Sequence, residues 1–299
     1  MSEGKSKILE LLRKYGELNQ IDIVKFSGLS KSRVSELLSE LEREGLIERR
    51  KALGRNLVVK LSNKFVKIGI IRAAEYPFIM PFVKNLRDKG YIVDIIIYDN
   101  GLDLTKDLAM GKLDIGLSPV ITQLFFQRIF NTFEIVAGGA KGGGALIGNP
   151  DCKSIGSTIM SSMEAWTLSY YPDAELVEFN SPEEMLSSIK SGKVKTIAIW
   201  EPYVTYLSNN GFKVIHRFEP LHCCTLAINK RLNIDEIKRI YEVSFTDFLE
   251  EKDRWVQAYS NLVGVDYPIL SEAIKNYVFD SYLDLNEIKK SIRKNRIYI

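Results

Sequence analysis

Between Val66 and Ile199 short apolar runs alternate with stretches of helical periodicity, and few folds accommodate that alternation. VKIGII (Val66–Ile71), IVDIIIY (Ile92–Tyr98), LDIGL (Leu113–Leu117) and Phe133–Gly138 read as buried strands. Pro77–Lys89, Leu102–Met110 and Pro119–Gln127 read as the helices between them. The order then repeats. Gly144–Gly148, Ser154–Gly156, Leu176–Phe179 and Val194–Ile199 are strand-like, and Ser157–Tyr170 and Pro182–Lys190 are helix-like. Strands alternating with helices predict an α/β body with a largely parallel sheet covered on both faces.

An internal echo divides this body. LAMGKLDIGL (Leu108–Leu117) and IKSGKVKTIAI (Ile189–Ile199) each read as a helix end, Gly-Lys, then a strand. A glycine helix stop before a buried strand is a common device, but the repetition fits two lobes of similar build. After a return strand at His222–Ile228, the segments Asp235–Leu249, Lys252–Val263, Pro268–Val278 and Leu285–Ile292 read as helices. A late return strand with a helical C-terminus implies that the chain crosses back to its first lobe.

The first sixty residues follow another pattern. Ile8, Leu9, Leu11, Leu12 and Tyr15 make a helical stripe that stops at Gly16, and Leu18–Phe26 fits a second short helix. Ser30 is placed to N-cap a third helix over Lys31–Glu44. In that helix Val34, Leu37, Leu38 and Leu41 form one apolar face. Ser30, Lys31, Ser32, Arg33 and Ser35 are left at its front, with side chains that reach phosphates and base edges. LIERRK (Leu46–Lys51), a turn at ALGRN and LVVKL (Leu57–Leu61) read as a hairpin carrying Arg49, Arg50, Lys51 and Arg55. Residues 1–64 hold 14 Lys/Arg against 9 Asp/Glu, and the remainder 27 against 29, so the positive excess lies at this end. A basic segment on a near-neutral body points to a polyanionic partner.

Helix, helix, turn, helix, basic hairpin, and above all the phrase SELEREGLIERR, closely resemble the MarR/ArsR-type winged-helix family over residues 1–62. The resemblance implies that the third helix enters the major groove of operator DNA and that the hairpin touches phosphate or minor groove. The same charges would also suit a solvated face or a protein-interaction module.

At 299 residues and 45% apolar content, the chain can bury a sizeable core. No apolar stretch approaches the roughly 20 residues that span a bilayer. MSEGKSKILELLRKYG has acidic residues and helical periodicity in place of a long apolar core, unlike a secretory signal. Three cysteines make no disulfide framework, so the expected location is cytoplasmic.

VKIGIIRAAEYP, MGKLDIGLSP, IVAGGAKGGGALIG, KSIGST and SGKVKTIAIWEPY, in that order, resemble type II periplasmic solute-binding proteins of the nitrate/sulfonate/taurine and thiamine-precursor group. The resemblance covers residues 66–285. The expected fold is thus α/β, a winged helix-turn-helix domain (1–63) followed by a two-lobed domain (64–299) whose second lobe spans about 150–215. One departure is Lys195-Thr196, where the family usually has Asp-Ala.

The resemblance places ligand-binding positions at Arg72–Tyr76, Ser118-Pro119, Gly138-Gly139, Ser157-Thr158 and Trp200-Glu201. Each lies at a strand's carboxyl end or a helix start, where open α/β sheets bind ligands. Arg72 could pair with a carboxylate, sulfonate or phosphate, or be an exposed arginine. Ser157 and Thr158 at a helix start could hold an anion, or simply cap. Tyr76 and Trp200 could sandwich a ring, or pack as core. Glu201 would suit an amine or ring N–H, or cap a helix after Pro202.

His222-Cys223-Cys224 lies on an expected strand, where adjacent side chains point to opposite faces, so the two thiols are not expected to chelate one ion. With His216 the only other histidine, a zinc site would need Asp or Glu. GGAKGGG (Gly138–Gly144) lacks the dinucleotide order and reads as a flexible connection or a ligand approach. No catalytic triad, P-loop or HExxH motif appears. The expectation is a ligand-responsive transcriptional regulator, not an enzyme: a homodimer on DNA with a small-molecule effector and no metal or cofactor. The alternatives are a cytoplasmic enzyme of the thiamine-precursor-synthesis type, a non-catalytic small-molecule-binding protein, or an interaction scaffold.

Overall fold

The computed structural model describes residues 2–51, 57–151, 153–286 and 288–289. The expected hairpin turn with Arg55, and the end of the expected helix at Leu285–Ile292, lie outside the described residues.

The N-terminal elements run α1 (Glu3–Tyr15), β1 (Glu17–Asn19), α2 (Gln20–Ser27), α3 (Lys31–Arg43), β2 (Ile47–Lys51) and β3 (Leu57–Leu61). Leu18 was expected in a helix but lies on β1, which pairs antiparallel with β3 and completes a sheet of order β1-β3-β2. The short polar segment ends where Asn19 accepts the Asp22 N–H at 2.9 Å and caps α2. Gly28 then takes φ +69°, a left-handed turn that suits a residue without Cβ. Ser30 caps α3 as expected, accepting from the Arg33 N–H at 3.2 Å. Ile8, Leu12, Ile23, Val34, Leu37, Leu41, Ile47 and Val59 form this module's own core.

The body holds two five-stranded sheets. The first joins β4 (Phe65–Ile71), β5 (Ile92–Tyr98), β6 (Ile115–Pro119), β7 (Phe133–Ala137) and, much later, β14 (Cys224–Asn229). Helices α4 (Ile79–Asp88), α5 (Gly101–Ala109) and α6 (Val120–Phe130) connect its early strands. The second sheet joins β9 (Gly144–Gly148), β10 (Ser154–Thr158), β11 (Glu175–Phe179), β12 (Thr196–Trp200) and β13 (Val214–Arg217), with α7 (Ser162–Tyr170), α8 (Pro182–Lys190) and α9 (Tyr203–Asn209). The spatial orders are β5-β4-β6-β14-β7 and β11-β10-β12-β9-β13. In each, three parallel strands are followed by an antiparallel crossing strand, β14 or β9, and a further strand antiparallel to it. The sequence echo thus corresponds to equivalent positions: Gly111 and Gly192 both end a helix at positive φ before β6 and β12.

The body ends with α10 (Ile234–Glu250), α11 (Lys252–Val263), α12 (Tyr267–Ala273), a 3-10 turn at Ile274–Asn276 and β15 (Tyr277–Asp280). The expected helix Pro268–Val278 therefore stops early. Its last residues instead pair with β8 (Gly139–Gly142) as a two-stranded ribbon. This overturns the flexible reading of GGAKGGG. A Cβ on Gly139 would stand 2.6 Å from Phe78 Cζ, and one on Gly143 2.0 Å from the Tyr277 ring. The glycines are there because neighbouring rings occupy the space.

The module and the body meet without a flexible linker. Arg13 of α1 forms an ion pair with buried Asp114 (Nη2–Oδ2 3.0 Å), and Arg231 bonds the same carboxylate through Nε. Arg231 also donates to the Phe65 carbonyl at 2.7 Å, and Phe65 is buried in the N-terminal core although it opens β4. No helix among the described residues is long and apolar enough to cross a membrane.

Candidate functional site

The carboxyl ends of the parallel strands in both sheets converge on one cavity. β4 delivers Ile71, Ala73, Glu75 and Tyr76, and β6 delivers Pro119, with Gly101 of α5 beside them. The second sheet contributes Thr158, Ser161, Ser162, Met163 and Trp200, and the crossing into β14 contributes Cys223 and Cys224. The space between these residues, the open solvent at its mouth included, is about 330 Å³.

Of the expected ligand places, Ala73, Glu75, Tyr76, Pro119, Thr158 and Trp200 line this cavity. Trp200 is held in place by its indole N–H, which donates to the Arg72 carbonyl at 3.1 Å. The Arg72 guanidinium does not line the cavity. Its Nη1 donates to the Val263 carbonyl at 2.8 Å, so the expected anion partner is engaged by α11. Ser118 is buried, with its hydroxyl bonded by Thr105 (2.8 Å) and Gln123 (3.1 Å). The Gly138 carbonyl accepts from Tyr241 at 2.6 Å, and Gly139 packs on Phe78. Neither glycine reaches the cavity.

Glu201 is fully buried and faces away from the cavity. It accepts from the Thr205 N–H at 2.9 Å and from Asn276 at 2.7 Å, and it pairs with Arg217 at 3.3 Å. It anchors the start of α9, and burial pushes its carboxyl above the ordinary value.

Ser157 and Thr158 were expected to open a helix. They end β10, which pairs in parallel with all of β11, and α7 starts only at Ser162, capped by Ser161 through the Glu164 N–H at 3.2 Å. The helix start that faces the cavity is therefore built from Ser161 and Ser162. Sequence reading missed both because the serine run offers several equivalent caps.

The cysteines are also placed differently from expectation. β14 begins at Cys224, so Cys223 is outside the strand and free of its alternation. Both sulfurs face one cavity, 3.7 Å apart, and both cysteines are buried and free. Glu75 meets them: its Oε1 accepts the Cys224 N–H at 3.3 Å, and one donor atom from each of the three residues lies within 4.8 Å of the others. Burial pushes the Glu75 carboxyl up to about 8 and the Cys224 thiol well above its usual value. The Tyr76 hydroxyl is fully buried beside Glu75 and Cys224, near enough to interact with both but without a hydrogen bond of good geometry. Glu75 lay inside the expected Arg72–Tyr76 place, but nothing in the local pattern linked it to a strand 149 residues away. His222 is not part of the group; its Nε2 bonds the Tyr282 carbonyl at 2.9 Å. Among the described residues, no Lys or Arg lines the cavity.

On the N-terminal module, Lys31, Ser32, Arg33 and Ser35 are exposed at the front of α3, as expected. The hairpin arginines are less free than their sequence implied. Arg49 pairs with Glu42, and Arg50 with Glu17 at 2.6 Å. Lys51 closes β2.

Residues 1–62 match a family model described as a domain of unknown function (DUF7343). No curated protein matches the chain. Among solved structures, the alkanesulfonate-binding protein SsuA from Xanthomonas axonopodis pv. citri, bound to MOPS, is similar at TM-score 0.66 and 14% identity, over 78% of this chain and 94% of that one. The ligand-binding component of an ABC-type import system from Staphylococcus aureus, with zinc bound, is similar at 0.67 and 15%, over 78% and 92%. The periplasmic aliphatic sulphonate binding protein SsuA from Escherichia coli is similar at 0.61 and 12%, over 78% and 93%. At these identities the likeness is one of fold: the two-sheet α/β body is periplasmic-binding-protein-like.

Proposed function

We propose that the chain is a ligand-responsive, DNA-binding transcriptional regulator. In this reading residues 1–63 form a winged helix-turn-helix whose α3 lies in the major groove of double-stranded operator DNA. The two-lobed body, residues 64–299, senses a small metabolite in the cavity between its sheets. One observation carries the reading: an exposed Ser/Lys/Arg helix front is fused to a cavity-bearing body through the buried Arg13–Asp114–Arg231 cluster. A ligand that binds one arrangement of the two sheets better than another shifts their equilibrium, and the cluster gives that shift a route to α1. The exposed apolar side chains Tyr15, Ile21 and Phe26 on α1 and α2 suit a two-fold dimer, which would match a palindromic operator. The protein then acts inside the cytoplasm.

The lining also narrows the ligand. With Arg72 turned away and no other Lys or Arg lining the cavity among the described residues, the lining shown does not match a sulfonate or phosphate by charge. Ser161 and Ser162 already donate to the Thr158 and Cys223 carbonyls, which leaves the Thr158 hydroxyl and the Trp200 ring, a lining that suits a small neutral or cationic molecule. The reading is tested by selecting tight binders for the purified chain from random duplex DNA, and by releasing and weighing any small molecule that co-purifies. A recurring DNA motif whose affinity changes with the released molecule supports it. Binding no tighter than to bulk DNA contradicts it.

A further inference from the structure

We propose that Glu75, Cys223 and Cys224 form a binding site for a single thiophilic divalent cation of the Zn2+ type, set in the wall of the cavity. This stands independently of the DNA-binding reading. The donor set is two thiols and a carboxylate, the ligand types zinc takes. Two thiolates on a tetrahedral ion at about 2.3 Å stand about 3.8 Å apart; the two sulfurs here are 3.7 Å apart. The carboxylate oxygen falls within 4.8 Å of both.

The surroundings point the same way. Glu75 has no ion pair among the described residues although it is buried. A buried carboxyl without a counter-charge keeps its proton, and a dication beside it would supply the charge that lets it ionise. The Tyr76 hydroxyl, buried beside Glu75 and Cys224 with no hydrogen bond of good geometry, is placed to donate to a ligand atom of the loaded site. Groups in that outer position fix a ligand's orientation and tune affinity. All three donors line the cavity, so the fourth coordination position faces it. That is the three-ligand pattern of zinc sites that keep a position for an incoming molecule.

The test uses the full chain with Cys152→Ser, so that only the two candidate thiols remain. Reduced, chelator-stripped protein is titrated with Co2+, which reports thiolate ligation by a near-ultraviolet charge-transfer band. The expected result is one equivalent bound with a two-thiolate band that Zn2+ displaces. Cys223→Ser and Cys224→Ser each remove about half of that band or all of it. Tyr76→Phe keeps the band and weakens affinity by about tenfold or more. If a cysteine variant fails to fold by circular dichroism, X-ray absorption on the Zn2+-loaded parent decides, with two sulfurs in the first shell expected. No uptake, a first shell without sulfur, or a band unchanged in both folded serine variants overturns the site.

Discussion

Arg13 and Asp114 form a bidentate ion pair across 101 residues of sequence, with Nη1–Oδ1 at 3.1 Å and Nη2–Oδ2 at 3.0 Å. Asp114 is wholly buried, and it also accepts the Lys67 backbone N–H at 2.8 Å. One carboxylate therefore fixes the start of the first sheet, the Arg231 turn and helix α1 of the N-terminal module.

Breaking a buried pair strands the remaining charges, so Asp114→Asn is expected to destabilise the chain by about 3–5 kcal/mol. Denaturant unfolding measures this. Burial pushes the Asp114 carboxyl up, but Arg231 and Arg13 outweigh that and hold it below its ordinary value. A depressed folded pKa means the stabilisation is complete above about pH 4, the unfolded value, and is lost as pH falls through the folded one. The acid limb of stability against pH should flatten in Asp114→Asn.

Trp200 and Glu201 are neighbours with different tasks. Trp200→Ala removes a cavity wall and should weaken ligand binding at least about tenfold, the worth of roughly 1.4 kcal/mol. Glu201→Ala leaves the Thr205 N–H, Asn276 and Arg217 without their acceptor. It should lower stability by about 1–3 kcal/mol with the ligand stoichiometry kept. Calorimetric titration beside thermal unfolding separates the two.

Gly143 sits at φ +75° with Tyr277 where a Cβ would go. Gly143→Ala is expected to cost at least about 1–3 kcal/mol by overpacking and to loosen the β8–β15 ribbon. Faster amide exchange at Tyr277–Asp280 than in the parent checks it.

Much of this architecture was legible in the chain. Apolar runs such as Ile92–Tyr98 and Gly144–Gly148 have the observed bounds, because a buried strand needs a short continuous apolar segment and nothing else nearby supplies one. Glycine echoes at 111 and 192 marked equivalent helix ends. What was not legible depends on distant partners. β8 and β15 are glycine-rich or short, and they become strands only by pairing with each other. Thr158 and Ser157 were assigned to a helix because local serines cap equally well at several positions. Arg72 and Glu201 carry chemistry suited to a ligand, but Val263 and Asn276, supplied from the C-terminal segment, engage them instead. Alternation along a strand from His222 would separate Cys223 from Cys224, but the strand starts two residues later, at Cys224, and the sulfurs lie 3.7 Å apart.

Arg33 pairs with Glu36 at 2.7 Å, as Arg49 does with Glu42 and Arg50 with Glu17, whereas Lys31 stands exposed at the front of α3. In the proposed complex, replacing a residue that contacts phosphate lowers the slope of log affinity against log salt by about 0.9. Lys31→Ala is expected to do so. Arg50→Ala should change it less, because Arg50 must leave Glu17 to reach DNA. Fluorescence anisotropy over a salt series with the selected duplex gives both slopes.

The central claim is that occupancy of the cavity changes DNA affinity. The direct measurement is the dissociation constant of the full chain for its selected duplex, with the co-purifying molecule removed and then restored, in the parent and in Trp200→Ala. The account predicts a shift of about fivefold or more in the parent, the lower range of coupling between sites, and none in Trp200→Ala at the same ligand concentration. An affinity identical with and without the molecule in the parent, under conditions where calorimetry shows the cavity filled, would contradict it.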